Sequence, residues 1–220
     1  MTLGILADDV ILRLTQSSPT DDSEIEKTQV IYLLSQCRDT LVQQYVNKQI
    51  QLAQPIDTQY KERYLADTIV EEDETTIVAD DERLYVTLPK QPLALLNDMG
   101  VIQVLTQEYL PVLRYRAENF TVYQDLRFAK ASPSNICFYR DNLKIVIKGL
   151  TRKNKDNDKF IVDYIPSLAS QLPDESDDVQ LSDALLPQLT EMVETIMKRQ
   201  MYETVQDLAN DGVQEPKQTK

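Results

Sequence analysis

Any chemistry in this sequence would have to come from carboxylates, lysine, tyrosine or two cysteines, because its 220 residues include no histidine. That removes the usual general base near neutral pH and the commonest zinc ligand. Cys37 falls in a helical pattern and Cys137 in a strand pattern, which gives neither a disulfide framework nor a metal cluster. Both read as buried thiols in a reducing compartment. The acidic run at residues 71–74 carries oxygen ligands of the kind Ca²⁺ or Mg²⁺ takes, but a solvated turn between strands accounts for it without metal. Asp156, Asn157 and Asp158 resemble the opening of a calcium loop, yet the sixth position lacks glycine and the twelfth, Ser167, is not a bidentate glutamate. A hairpin tip is the simpler reading.

A carboxylate-pair hydrolase needs two acids across a cleft, one with its pKa raised by burial. Among 36 acidic residues such pairs are too numerous to single any out. A phosphate cradle needs clustered glycine so that backbone N–H groups can close around the anion. The four glycines lie far apart, which excludes a P-loop and a Rossmann turn. No catalytic, cofactor or metal residue is assigned, and a non-enzyme is expected. Arg152, Lys153, Lys155 and Lys159 form the one local basic cluster, suited to an acidic partner or a phosphate; Asp156 and Asp158 dilute it, and a plain surface loop is favoured.

The formal net charge of −13 opposes any charge-driven grip on nucleic acid. With 42% hydrophobic and 27% charged residues the chain should fold. No run of about 18 apolar residues and no cleavable leader pattern occur, so neither membrane insertion nor secretion is indicated. The protein is expected inside a cell or in a particle assembled there.

The elements that must position these residues begin with Leu3, Leu6, Ala7, Val10, Ile11 and Leu14, the stripe of a short amphipathic helix. Ser23 and Glu26 form a capping-box signature for a second helix reaching Gln54, before Pro55. Val30, Leu34, Cys37, Leu41 and Tyr45 line one face of it, and Ile31, Val42, Val46 and Ile50 widen that face toward a second contact. From residue 56 the texture turns β-branched and aromatic. Strands are expected within 60–70, 75–78, 83–88 and 101–105, with a helical turn or an irregular packed loop at 93–99 and Gly100 supplying a positive φ to leave it. Residues 111–130 are mixed. Residues 136–140 and 143–148 flank Asp141-Asn142, a two-residue loop of the type I′ kind, and 160–165 return as the third strand of a meander.

After an acidic connector, Leu185, Leu189, Met192, Val193, Ile196, Met197 and Met201 form a last apolar stripe, with Ser182 or Asp183 as cap and Pro187 near the first turn. The fold class is therefore α+β: N- and C-terminal helices packed together as a small bundle, with an inserted antiparallel β-rich region. The expected parts are N-terminal helices at 1–55, a β-rich insertion at 56–171, the closing helix at 172–204 and an arm at 205–220. The arm has almost no apolar periodicity, as in a tail that is loose alone and orders on a partner. About sixteen extended residues would reach on the order of 50 Å.

This order of parts, with the runs Leu88-Pro89, Asn97-Asp98-Met99-Gly100-Val101 and Pro111-Val112, the hairpin at Asp141-Asn142, the exit strand at 161–166 and the closing helix and tail, resembles the head-to-tail connectors of short-tailed bacteriophages. It is most similar to the adaptor or ring proteins of crAss-like phages. The resemblance implies a homo-oligomeric ring, a dodecamer, beneath the portal protein at the head-tail junction of a virion assembled in the host cytoplasm. Its C-terminal arm would dock on the portal through Val205, Gln206, Asp207, Leu208, Asn210, Asp211, Gly212 and Val213. The β part would face the next tail or ring protein, and DNA would pass without sequence-specific binding. The family supplies no catalytic residues. Physics adds that a closing ring needs heterologous interfaces, which a two-striped helix can furnish, and that an acidic lumen repels DNA phosphates. The alternatives are another tail-hub or baseplate component, or an adaptor or chaperone outside the virion.

Overall fold

The computed structural model describes residues 1–17, 25–67, 69–71, 83–115, 131, 136–149 and 159–211, and of residues 17, 69–71, 83 and 202–211 the backbone alone. The chain is α+β, with helices toward both ends and strands between them. It divides into two compact units, Met1–Gln44 with Leu172–Lys220, and Tyr45–Gln171. The expected strand at 75–78, the aromatics of 116–130, the capping Ser23 and the basic loop residues Arg152, Lys153 and Lys155 lie outside the described residues.

In the first unit, α1 (Leu3–Ser17), the N-terminal part of α2 (Lys27–Gln51) and α3 (Leu186–Asp211) share one apolar core. The periodic residues fill it: Leu3, Leu6, Val10 and Leu14 from α1, Val30, Leu34 and Leu41 from α2, and Leu189, Val193 and Met197 from α3. Gln29 Nε2 donates to Gln200 Oε1 (3.3 Å), joining α2 to α3, and Arg13 reaches Glu194 (3.5 Å), joining α1 to α3. Backbone carbonyls of Glu175 and Asp177 accept from the N–H groups of Gly4 and Leu3 (each 3.0 Å), so the acidic connector satisfies donors that the first turn of α1 leaves unpaired.

α2 ends before the expected Gln54. Ala53 takes a left-handed φ of 52°, and the N–H groups of Gln54 and Ala53 bond back to the carbonyls of Gln49 (2.9 Å) and Ile50 (3.1 Å). This Schellman geometry closes the helix two residues ahead of Pro55. Tyr45, placed by periodicity on the buried stripe, is 37% exposed and packs edge-on against Tyr60 at 5.7 Å.

The second unit holds two sheets around one core. β1 (Glu62–Asp67), β8 (Lys159–Tyr164) and β4 (Val101–Thr106) form an antiparallel sheet with β8 central. β2 (Ile69–Glu71), β3 (Arg83–Thr87), β7 (Lys144–Lys148), β6 (Cys137–Asp141) and β5 (Leu113–Arg114) form the other, with β5 parallel to β6. Ala66, Val104, Phe160, Val162 and Tyr164 meet Val86, Phe138, Ile145 and Ile147 in the shared core.

Three local expectations need correction. The hairpin exists, but Asp141 pairs with Lys144, so Asn142-Leu143 is the loop. Only Asn142 of that pair has a positive φ (54°), whereas a type I′ turn needs it at both positions. Residues 159–164 do not complete a meander on that hairpin; they pair with β1 and β4. β8 is buried on both faces apart from its first residue, which suits a central strand. Finally, positive φ falls on Asn97 (56°) and Asp98 (57°), while Gly100 serves close approach: a Cβ there would lie 2.1 Å from the Leu93 carbonyl oxygen.

Candidate assembly surfaces

The residues expected in the docking arm divide between two settings. Val205, Gln206, Asp207, Leu208, Asn210 and Asp211 are the last turns of α3, whereas Gly212 and Val213 lie outside the described residues. The helix runs past Met201 because no glycine or proline intervenes before Gly212, while Leu208 and Ala209 are good helix formers. Further toward the start of α3, Gln188, Glu191, Met192, Thr195 and Ile196 line an open groove of about 430 Å³. On α1, Ile5 and Leu12 stand two turns apart on an exposed face.

Among the described residues no group of three or more ligating side chains gathers that could hold a metal. Glu71 closes β2, and the rest of its acidic run lies outside the described residues. Both cysteines are free and buried, and burial pushes the Cys137 thiol up to about 11 and the Cys37 thiol up as well. Burial does the same to the Tyr164 phenol, aided by Glu62, whose carboxylate accepts its hydroxyl at 3.3 Å. Such groups are poor nucleophiles near neutral pH.

On the outer side of the three-stranded sheet, Arg63, Asp163 and Gln103 stand in register across β1, β8 and β4. Arg63 donates through Nε to Asp163 Oδ1 (2.7 Å) and through Nη2 to Oδ2 (2.9 Å), and Gln103 Nε2 donates to Oδ2 (2.7 Å). The Arg63 bonds, opposed by burial and reinforced by Gln103, hold the Asp163 carboxyl below the usual range. A lowered folded-state pKa adds stability that is complete above the unfolded value near ~3.9 and is lost as pH falls through the folded value. Asp163→Asn should therefore flatten the acid limb of the stability curve and cost about 1 kcal/mol at neutral pH, a small figure because Arg63 is more than half exposed. Urea unfolding of both proteins from neutral pH to about pH 3 checks this; parallel curves would refute it.

A second charged cluster escaped the sequence reading. Arg140 Nη1 donates to Asp98 Oδ1 (2.7 Å), its Nη2 to the Pro92 carbonyl (3.3 Å) and its Nε to the Asn142 carbonyl (3.0 Å). Arg114 Nη1 reaches the Asp98 carbonyl (3.5 Å) and Met99 Sδ (3.1 Å), and its guanidinium lies 5.5 Å from the Phe138 ring centre. Arg114 Nη2 is buried with no acceptor among the described residues. Burial first, and Arg140 with it, lowers the Arg114 pKa against the pull of Asp98. The available signal was an arginine between Leu113 and Tyr115, at the start of a stretch whose register the sequence does not reveal.

A family described as phage tail ring protein 2, of crAss-like phages, matches residues 5–214. A comparison with curated proteins finds no match. Among the described residues no helix is long and apolar enough to cross a membrane.

Proposed function

We propose that this chain, which belongs to the phage tail ring protein 2 family, forms the ring that joins head to tail in a crAss-like phage. In this reading it closes a dodecamer beneath the portal, extends the DNA channel and acts structurally, without catalysis. The family match across residues 5–214 carries the proposal. A net charge of −13 supports it, since a wall rich in carboxylates repels DNA phosphates and lets a genome pass without adhering. The reach of α3 to Asp211 modifies the docking arm: its first turns present a helix, and any extended segment starts at Gly212.

The family name favours one competing reading, a ring deeper in the tail that contacts tail proteins and never touches the portal. Co-expression with the portal protein separates the two. The full chain should be retained by tagged portal and give rings by negative-stain electron microscopy. A chain ending at Thr204 should keep its folded circular dichroism and lose portal retention. Retention of the shortened chain would remove the arm from the interface, and monomers alone in both preparations would overturn the ring assignment.

A further inference from the structure

We infer that the outer face of α1, which carries Ile5 and Leu12, seats in the groove along α3 of the next copy of this chain. The inference rests on the ring assignment and deepens it by naming the surfaces through which copies join. Ile5 lies two residues from buried Leu3 and Ala7, and Leu12 two residues from buried Val10 and Leu14. At about 100° per residue that places both on the side of α1 opposite its core, where each is more than half exposed. α1 therefore buries one apolar face in its own bundle and holds two large apolar side chains out to solvent.

On α3, Glu194 turns toward α1, where Arg13 reaches it (3.5 Å). Met192 and Ile196 stand two residues either side of Glu194, so the groove they floor faces away from α1. Gln188, Glu191 and Thr195 form its rim. From Gln188 to Ile196 the helix rises about 12 Å, and from Ile5 to Leu12 about 10 Å, so the two side chains fit along the groove as a ridge. Both patches belong to one compact unit and do not overlap, so each copy can offer its α1 face to one neighbour and its groove to the other. A closing ring needs such a heterologous, head-to-tail pair, and the family match covers both patches. The contact is apolar because net charge opposes it: two copies of charge −13 repel. The carboxylates beside Ile5 and Leu12 are already paired, Asp8 with Lys27 (2.9 Å) and Asp9 with Arg13 (2.7 Å). Glu191 is the one acid among the described residues that line the groove.

The test pairs two variants of the full chain, Leu12→Lys on the α1 face and Thr195→Arg at the groove. Both sites are exposed, and both changes make the chain less negative, so a loss of assembly cannot come from added repulsion. Each variant alone should raise the concentration for half-assembly at least about tenfold in mass photometry, with the melting temperature within about 2 °C of the parent. Mixed, they should form dimers and nothing larger, because the intact groove of one accepts the intact face of the other. Raising salt from about 50 to about 500 mM should strengthen assembly of the parent by screening its charge. Rings that form equally from the parent and either variant overturn the contact and leave the ring assignment standing. So does a variant that pairs with itself, which would make the surface isologous, or an assembly dissolved by salt, which would make it ionic. A parent that stops short of a ring while the mixed variants still pair overturns the ring assignment and supports the contact. If neither associates, both fall, and the two surfaces belong to a different protein. Ile5→Lys and Gln188→Arg take their places should either variant fail to fold.

Discussion

Replacing Arg38 by alanine should lower the stability of the helical unit by about 4 kcal/mol, which moves its urea midpoint down by roughly 2 M at ordinary m-values. Arg38 is the largest fully buried side chain of that unit, in the middle of α2. Its Nε donates to the Val179 carbonyl (3.1 Å), its Nη1 to Asp39 Oδ1 (2.9 Å) and its Nη2 approaches Gln180 Oε1 (3.4 Å). These bonds hold the connector before α3 against α2. Alanine would leave the buried Asp39 carboxylate short of its countercharge, strand the Val179 carbonyl and open a cavity where the stem packed. Arg38→Met should recover the packing part only, while Arg38→Met combined with Asp39→Ala should be milder than the sum of the singles, because no lone charge then remains. A midpoint shift under about 0.5 M for Arg38→Ala, followed by helical circular dichroism, would show that the connector is held by other means.

The same residue shows what the sequence withheld. Apolar periodicity marked all three described helices, because each lays one stripe on a common core and the 3.6-residue repeat survives in the letters. Arg38 interrupts such a stripe, and its role depends on carbonyl and amide groups some 140 residues away. Asp163 was hidden in the same way within an apolar run, paired with Arg63 at a separation of 100 residues. The strand β8 was legible as a strand and not in its partners. A doubly buried strand reads as a plain hydrophobic run, which gives no face and therefore no choice between the nearby hairpin and the distant β1 and β4. The helical start of the docking arm was missed because polar composition was weighed above the absence of a breaker before Gly212. The Arg114 cluster gave almost no signal, since it is assembled by β5, β6 and a 3₁₀ turn that only tertiary structure brings together.

Gly100→Ala should be the most damaging small substitution in the β-rich unit. Gly100 is buried at the entry to β4, and an added Cβ would meet the Leu93 carbonyl oxygen at 2.1 Å, the Leu93 carbonyl carbon at 3.2 Å and Pro92 Cβ at 3.2 Å. The first of these is backbone and cannot rotate aside. Moving it strains a pair of bonds that tie this turn to the end of β8, Leu93 N–H to the Ile165 carbonyl and Ile165 N–H to the Gly100 carbonyl, each 2.8 Å. The neighbouring turn has little freedom to absorb the shift, because Asn97 and Asp98 already hold left-handed backbone and Arg140 is anchored on Asp98. A loss of about 3 kcal/mol follows, at the upper end for overpacking, and for a protein of this size a fall in melting temperature of roughly 6–12 °C. Asn97→Gly, which removes the left-handed cost at one position, should not reproduce that loss. If Gly100→Ala melts within about 2 °C of the parent in calorimetry, the contact with Leu93 does not confine the chain at the entry to β4.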